Sequence, residues 1–230
     1  MDPDRPASFH LARLGEAVDG LPATLDWLTP EERLRFDAMR APRRRDQFLA
    51  GHWLLRVVAA RFDGSSIEDW RFALDQQGRP CLQHRRDTDT ALHASLSHSG
   101  EWVAVVVAAQ PIGIDIEAAS RPRDLDRLAA EVFPAKQWQP FAGLPDSERS
   151  RIFYEQWTLR EAVGKREGRG LVPGIARSQY FESVSLEKAD AITWQTDGLS
   201  VALAASQAST TRIDGLPVAT TARGWRIAVL

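Results

Sequence analysis

In Pro111-Ile112-Gly113-Ile114-Asp115-Ile116-Glu117, the two-residue period of an extended strand sends the three isoleucines to one face and Gly113, Asp115 and Glu117 to the other. Two carboxylates then stand side by side and repel. A hard divalent cation such as Mg²⁺ turns that repulsion into binding, because carboxylate oxygens are the ligands it prefers. An isolated Asp-x-Glu is common, and taken singly it reads as the charged end of a solvated strand face. The second stretch is Trp157-Thr158-Leu159-Arg160-Glu161-Ala162-Val163-Gly164-Lys165, in which four-residue spacing on a helix lines up Phe153, Trp157, Glu161 and Lys165. Alone, Glu161 and Lys165 are an ordinary helix-surface pair worth a few tenths of a kcal/mol. Their position on the Trp and Phe side, rather than the opposite face, favours a functional use.

Ser95-Leu96-Ser97-His98-Ser99-Gly100 reads as a polar turn entering a strand, where hydroxyls, an imidazole and backbone N–H groups can converge on an anion. A turn capped by its own side chains is the plainer interpretation. Arg79 and the run Arg40, Arg43, Arg44 and Arg45 add cations whose planar fork suits phosphate.

The elements that must hold these groups follow from capping and period. Thr29-Pro30-Glu31-Glu32 offers a capping hydroxyl, a proline at the first helical position and a glutamate three residues past the cap, which predicts a helix from there to about Arg40. Pro42 opens a longer helix with Phe48, Gly51, His52, Leu55, Val58, Ala59 and Phe62 on one stripe, closed by Asp63-Gly64-Ser65-Ser66. Trp70, Phe72 and Leu74 alternate as in a half-buried strand, and Gln76-Gln77-Gly78-Arg79-Pro80 is a turn. Apolar runs predict strands over 102–109 and 112–117, joined at Gln110-Pro111 and paired as a hairpin. The Pro- and charge-rich stretch 118–145 predicts short helices over 124–131 and 135–141 and offers a flap facing a partner. A long helix over 146–167 stops at Gly168, and strands run from Tyr180 to the end. A helix followed by strands thus occurs once in each half, which predicts an N-terminal subdomain over 1–110 and a C-terminal one over 111–230.

Composition narrows the class. The 230 residues are 43% apolar and 26% charged, an ordinary globular balance, and 29 Lys plus Arg against 31 Asp plus Glu leave a formal charge of −2. That lacks the positive field of a dedicated nucleic-acid binder, and the eight tryptophans are scattered rather than gathered into a stacking platform. No apolar run is long enough to span a membrane, no export signal is visible, and the single cysteine, Cys81, cannot form an internal disulfide, so a cytoplasmic address is expected. His-Glu-x-x-His, Gly-x-x-x-x-Gly-Lys and Gly-x-Gly-x-x-Gly are all absent, which leaves zinc enzymes, P-loop NTPases and Rossmann oxidoreductases without support.

In order, Gly78-Arg79-Pro80, Ser97-His98-Ser99-Gly100, Gly113 to Glu117, and Trp157 to Lys165 with the tail Gly168-Arg169-Gly170-Leu171 resemble the Sfp-type 4′-phosphopantetheinyl transferases, over roughly residues 35 to 175. The last two motifs, at this separation and in this order, are the specific ones. The resemblance implies an α+β fold of two similar α/β subdomains related by a pseudo-twofold axis, with coenzyme A and Mg²⁺ at the cleft between them. It implies transfer of the phosphopantetheine of coenzyme A to a serine of an apo acyl or peptidyl carrier protein, with release of adenosine 3′,5′-bisphosphate. Asp115, Glu117 and Glu161 would hold the metal, with Glu117 acting directly or through water, and Glu161 would serve as base, either directly or through a metal-bound water. Lys165 would meet the pyrophosphate or the incoming serine, and Ser97 and His98 the nucleotide phosphates. Arg79 with one or more of Arg40, Arg43 and Arg44 would bind the 3′-phosphate region. A length near that of two fused halves implies a monomer.

Two positions depart from the family's pattern: Arg160-Glu161 stands where Lys-Glu is usual, and Gly51-His52 where Gly-Arg is frequent. Two rival functions are compatible with the same residues. One is a magnesium-dependent phosphohydrolase using the three carboxylates on a nucleotide; the other is a binding module whose arginines hold RNA or an acidic protein, which the near-neutral charge disfavours.

Overall fold

The computed structural model describes residues 5–87, 91–118, 123–196, 198–205 and 222–229. These fall into two compact units, one up to Ile112 and one from Gly113 onward. The first comprises β1 (Ser8–Arg13), α1 (Leu14–Asp19), α2 (Pro30–Ala38), α3 (Pro42–Asp63), β2 (Trp70–Leu74), β3 (Pro80–His84), β4 (Ala91–Ser99) and β5 (Trp102–Ala108). The second comprises β6 (Ile112–Ala118), α4 (Leu125–Val132), α5 (Ala135–Trp138), α6 (Asp146–Arg166), α7 (Pro173–Ser178), β7 (Gln179–Val184), β8 (Ala191–Thr196), β9 (Leu199–Ala205) and β10 (Arg223–Val229). Among the described residues no helix is long and apolar enough to cross a membrane.

Each unit is a five-stranded sheet with one long helix against it, in the orders β1-β5-β4-β3-β2 and β6-β9-β8-β10-β7. The α+β class expected from the sequence is therefore present, and the two plans correspond. β1 lies beside β5 in the first sheet as β6 lies beside β9 in the second, and in the second sheet the C-terminal β10 takes the place that β3 holds in the first.

Helix starts and stops follow local chemistry. Thr29 Oγ1 accepts from the Glu32 N–H at 3.2 Å while Glu32 Oε2 accepts from the Thr29 N–H at 2.7 Å, the reciprocal box read from the sequence. Helix α3 ends at Gly64, whose φ of +82° is open to glycine without strain. Its Leu55, Val58, Ala59 and Phe62 pack on Trp70, Leu82, Leu92, Val103, Val105 and Val107 of the first sheet. In the second unit, Leu159, Ala162 and Val163 of α6 pack on Phe181, Ala191, Ala202, Ala204 and Trp225, while its N-terminal half packs with α4, α5 and α7 through Phe133, Trp138, Ile152, Phe153 and Ala176.

Two expectations are corrected. The strands at 102–109 and 112–117 do not form a hairpin: β5 is flanked by β1 and β4, whereas β6 lies beside β9 in the other sheet. From Val103 to Ala108 every residue of β5 is buried, the mark of a central strand that needs both edges paired, and β1 supplies the second edge. The stretch Ser95 to Ser99 is not a turn but the end of β4; Ser95 and Ser97 are buried in register with Val106 and Ala104, and Gly100, at φ +56°, turns the chain with Glu101. Strand β1 and helices α1 and α7 had no counterpart in the sequence reading, being six-residue elements too short to show a period.

Candidate active site

Strand β6 reaches helix α6 through a side chain that is missing. A Cβ on Gly113 would overlap the Ala162 carbonyl oxygen and lie 2.6 Å from the Arg166 nitrogen, so backbone meets backbone there. Residues 115 and 117 share Gly113's face by the strand period, and the approach therefore delivers both carboxylates to the helix that carries Glu161 and Lys165. A second close approach seats the glycine tail: a Cβ on Gly164 would overlap the Gly170 oxygen and lie 2.6 Å from its carbonyl carbon, and the Gly164 carbonyl accepts from the Arg169 and Gly170 N–H groups at 3.0 and 3.1 Å. The poor helix residue at 164 is thus explained by backbone packing.

The Lys165 ammonium donates to Asp115 Oδ1 at 2.7 Å and to the Ile114 carbonyl at 3.1 Å. Asp115 is only 6% exposed, so this ion pair sits in a weakly screened place. Burial pushes the Glu161 carboxyl above its ordinary range; the Asp115 charge pushes the same way, Lys165 opposes, and Glu117 adds to the rise. Asp115, Glu117, Glu161 and Lys165, singled out from two separate motifs, are thus gathered into one field within the second unit. Among the described residues no three His, Cys, Asp or Glu side chains form a closed set able to enclose an ion. Phe153 and Trp157 stack one turn apart at 5.7 Å and continue the same helix face.

The remaining predicted residues lie in the first unit. Ser97 and His98 lie near the end of β4, just before Ser99, opposite Ala104 and Val103. Arg43 donates to the Gly100 carbonyl and to Glu101, tying the start of α3 to the β4–β5 turn just beyond His98. Arg40 and Arg44 are exposed. Arg79 Nε pairs with Asp75 Oδ2 at 2.7 Å, and Asp75 Oδ1 accepts the Gln77 and Arg79 N–H groups at 2.9 Å, so Arg79 closes its own turn.

Residues 111–228 match the family described as the 4′-phosphopantetheinyl transferase superfamily. The chain is 31% identical over 156 residues to the 4′-phosphopantetheinyl transferase Sfp of Bacillus subtilis, covering 63% of this chain and 67% of that protein. It is 30% identical over 170 residues to the 4′-phosphopantetheinyl transferase HetI of Nostoc sp., covering 74% and 69%. The chain belongs to the 4′-phosphopantetheinyl transferase superfamily. Among solved structures, a holo-(acyl-carrier-protein) synthase from Bacillus anthracis in complex with CoA (3′,5′-ADP) aligns with a TM-score of 0.37 at 23% identity, over 45% of this chain and 93% of that one.

Both departures from the pattern of phosphopantetheinyl transferases are accommodated in buried polar clusters that the sequence did not reveal. His52 Nδ1 lies 2.6 Å from Glu32 Oε1, and Arg56 donates to both Glu32 oxygens at 3.0 and 2.6 Å. Burial lowers the His52 pKa, an effect that the Glu32 carboxylate opposes, so the ring is neutral and Nδ1 donates. Burial would raise the Glu32 carboxyl, but the hydrogen bonds from His52 and Arg56, the Arg56 charge and the Thr29 N–H together hold it at about 2. Arg160, in place of lysine, is 1% exposed and lies among carbonyl and amide oxygens; burial brings its pKa down to about 9, still charged at neutral pH.

Proposed function

We propose that this chain is a magnesium-dependent holo-carrier-protein synthase that transfers 4′-phosphopantetheine from coenzyme A to a serine of an acyl or peptidyl carrier protein, with Asp115, Glu117, Glu161 and Lys165 as its reactive centre. Membership of the phosphopantetheinyl transferase superfamily supports the reaction, and the gathering of three carboxylates and one ammonium on β6 and α6 supports the residue roles.

Burial first, and then the charges of Asp115 and Glu117, raise the Glu161 carboxyl, and hard oxygen donors crowded in this way are the kind of set that a divalent cation relieves. Asp115 and Glu161 would hold Mg²⁺, with Glu117 directly or through water, and the ion when bound supplies positive charge against the pyrophosphate of coenzyme A. Glu161, moved up toward neutral by its surroundings, takes the proton of the carrier serine hydroxyl. The serine oxygen bonds to the phosphorus bearing pantetheine, the bridge to the other phosphate breaks, and adenosine 3′,5′-bisphosphate leaves. Lys165 orients Asp115 and offsets charge on the transferred phosphoryl oxygens, so that catalysis is chiefly positioning and electrostatics. Ser97 and His98 bind the nucleotide phosphates, with Arg79 and one or more of Arg40, Arg43 and Arg44 toward the 3′-phosphate. The chain acts as a cytoplasmic monomer.

The test is intact-protein mass spectrometry of an apo-carrier protein incubated with this chain, coenzyme A and Mg²⁺, with an EDTA arm and a Glu161→Gln arm. The expected result is a gain of one phosphopantetheine that EDTA abolishes and Glu161→Gln largely removes while coenzyme A still binds. No gain across several carriers, with hydrolysed coenzyme A in its place, would make the chain a hydrolase. Full turnover in Glu161→Gln would remove that residue from the mechanism.

A further inference from the structure

Helix α6 buries a guanidinium to which no carboxylate is bonded among the described residues. Arg160 Nη1 donates to the Gln156 carbonyl and to Gln156 Oε1, both at 3.0 Å. Its Nη2 donates to Gln137 Oε1 at 2.6 Å and to the Gln179 carbonyl at 3.4 Å, and Nε to the Ala176 carbonyl at 3.4 Å. The guanidinium lies 4.5 Å from the Phe133 ring centroid and 4.8 Å from that of Phe181. Gln137 is held in turn, its Nε2 donating to the Phe181 carbonyl at 3.2 Å. One side chain thereby ties α6 to α5, α7 and β7, and to the residue that caps α4.

Stability does not account for a charge in this place. Moving a cation out of water costs several kcal/mol even after relaxation, and an apolar side chain of similar volume is commonly tolerated as well or better. What an apolar side chain lacks is direction. A guanidinium with donors fixed in a plane, spread over four elements, sets both the rotation and the axial position of its helix, and a residue one step along a helix is displaced by only about 100° and 1.5 Å. The next residue is Glu161.

We propose that Arg160 is a positioning residue, which fixes the rotation of α6 against α5, α7 and β7 and so holds Glu161 in its productive relation to Asp115 on β6. The inference rests on the transferase reading of Glu161 given above. Lysine, with its donors at one point, cannot reach Gln137 and Ala176 together, so the arginine at this position is tied to this particular frame.

The experiment compares wild type, Arg160→Met, Arg160→Lys, Gln137→Leu and Glu161→Gln by thermal melting, coenzyme A affinity and steady-state transfer to a carrier protein. Arg160→Met is expected to melt as a folded protein and to bind coenzyme A within about threefold of wild type, yet to lose about ten- to a hundredfold in kcat, the scale of a misplaced catalytic group. Arg160→Lys should recover part of the loss, and Gln137→Leu, which removes one acceptor and keeps the arginine, should lose less than Arg160→Met. If Arg160→Met fails to fold, the Gln137→Leu kcat decides alone. A kcat within twofold of wild type in the deciding variant, or a loss that matches only the unfolded fraction, overturns the positioning role. Wild type that transfers nothing overturns the transferase reading and this inference together, whereas active wild type with an equally active Glu161→Gln removes the group that Arg160 is said to position.

Discussion

Gly113 has no room for a side chain, because a Cβ there would lie 2.6 Å from the backbone nitrogen of Arg166. The glycine of the Gly-x-Asp-x-Glu motif is therefore a spacer of zero thickness between a strand and a helix. The carboxylates two and four residues further on reach α6 only because β6 touches it first.

Gly113→Ala should force β6 off the helix. We expect a stability loss of roughly 2 to 4 kcal/mol, in the range of overpacked cores and strained backbone, and a still larger fall in transfer activity. Gly164→Ala should behave alike, since its Cβ would lie 2.6 Å from the Gly170 carbonyl carbon. Urea denaturation measures the first effect, and a midpoint unchanged in both variants would mean that the two contacts relax freely.

Lys165 and Asp115 should act as a unit. Lys165→Met and Asp115→Asn are each expected to reduce kcat/KM on the order of a hundredfold, and the double variant should lose much less than the product of the two. Steady-state kinetics of all four proteins closes the cycle, and full additivity would show that the 2.7 Å pair is incidental to catalysis.

Acid should weaken the first unit in two stages. His52 is neutral in the fold because its pKa is lowered from 6.5, so the unfolded chain binds the extra proton and stability falls as pH drops below 6.5. The Glu32 carboxyl is held at about 2 against 4.5 when unfolded, so its contribution, on the order of 3 kcal/mol, is complete above 4.5 and is lost as pH falls toward 2. Urea midpoints should decline through both windows, and the gap between wild type and Glu32→Gln should narrow only in the lower one. A constant gap would show that Glu32 titrates alike in both states.

The arginine cluster should divide by partner. Arg43 is committed to Gly100 and Glu101, and Arg79 to Asp75, whereas Arg44 is exposed on the first turn of α3. Arg44→Glu is expected to raise the dissociation constant of coenzyme A by about tenfold, the scale of one phosphate contact, with no change in melting temperature. Arg43→Ala should instead lower the melting temperature by loosening the β4–β5 turn. Calorimetric titration and thermal melting distinguish the two, and equal affinities in Arg44→Glu and wild type would exclude Arg44 from the nucleotide site.

Elements that announce themselves by local chemistry were legible in the sequence. The box at Thr29 and Glu32, the glycine stop at Gly64 and the long helix ending before Gly168 each depend on residues a few positions apart. Each proposed site motif was legible separately, since strand period places Asp115 with Glu117 and helix period places Glu161 with Lys165, while only the family resemblance joined the two. Pairings between distant strands were not legible: the partner of β5 is the six-residue β1, nearly a hundred residues earlier, and β6 pairs with β9 across α4 to α7, β7 and β8. The buried polar clusters were hidden for the same reason. Glu32, His52 and Arg56 look like ordinary charged positions on two helices until packing brings them to 2.6 Å, and Arg160 acquires its acceptors from four separate elements.

A lysine bonded to a buried aspartate supplies the second unit with a built-in counter-ion. Proteins that rely on a metal to quench crowded carboxylates unfold when it is stripped; here the ammonium of Lys165 already does that service for Asp115. Chelation should then silence the enzyme without melting it, and the protein should survive purification and storage in EDTA and regain activity on adding Mg²⁺.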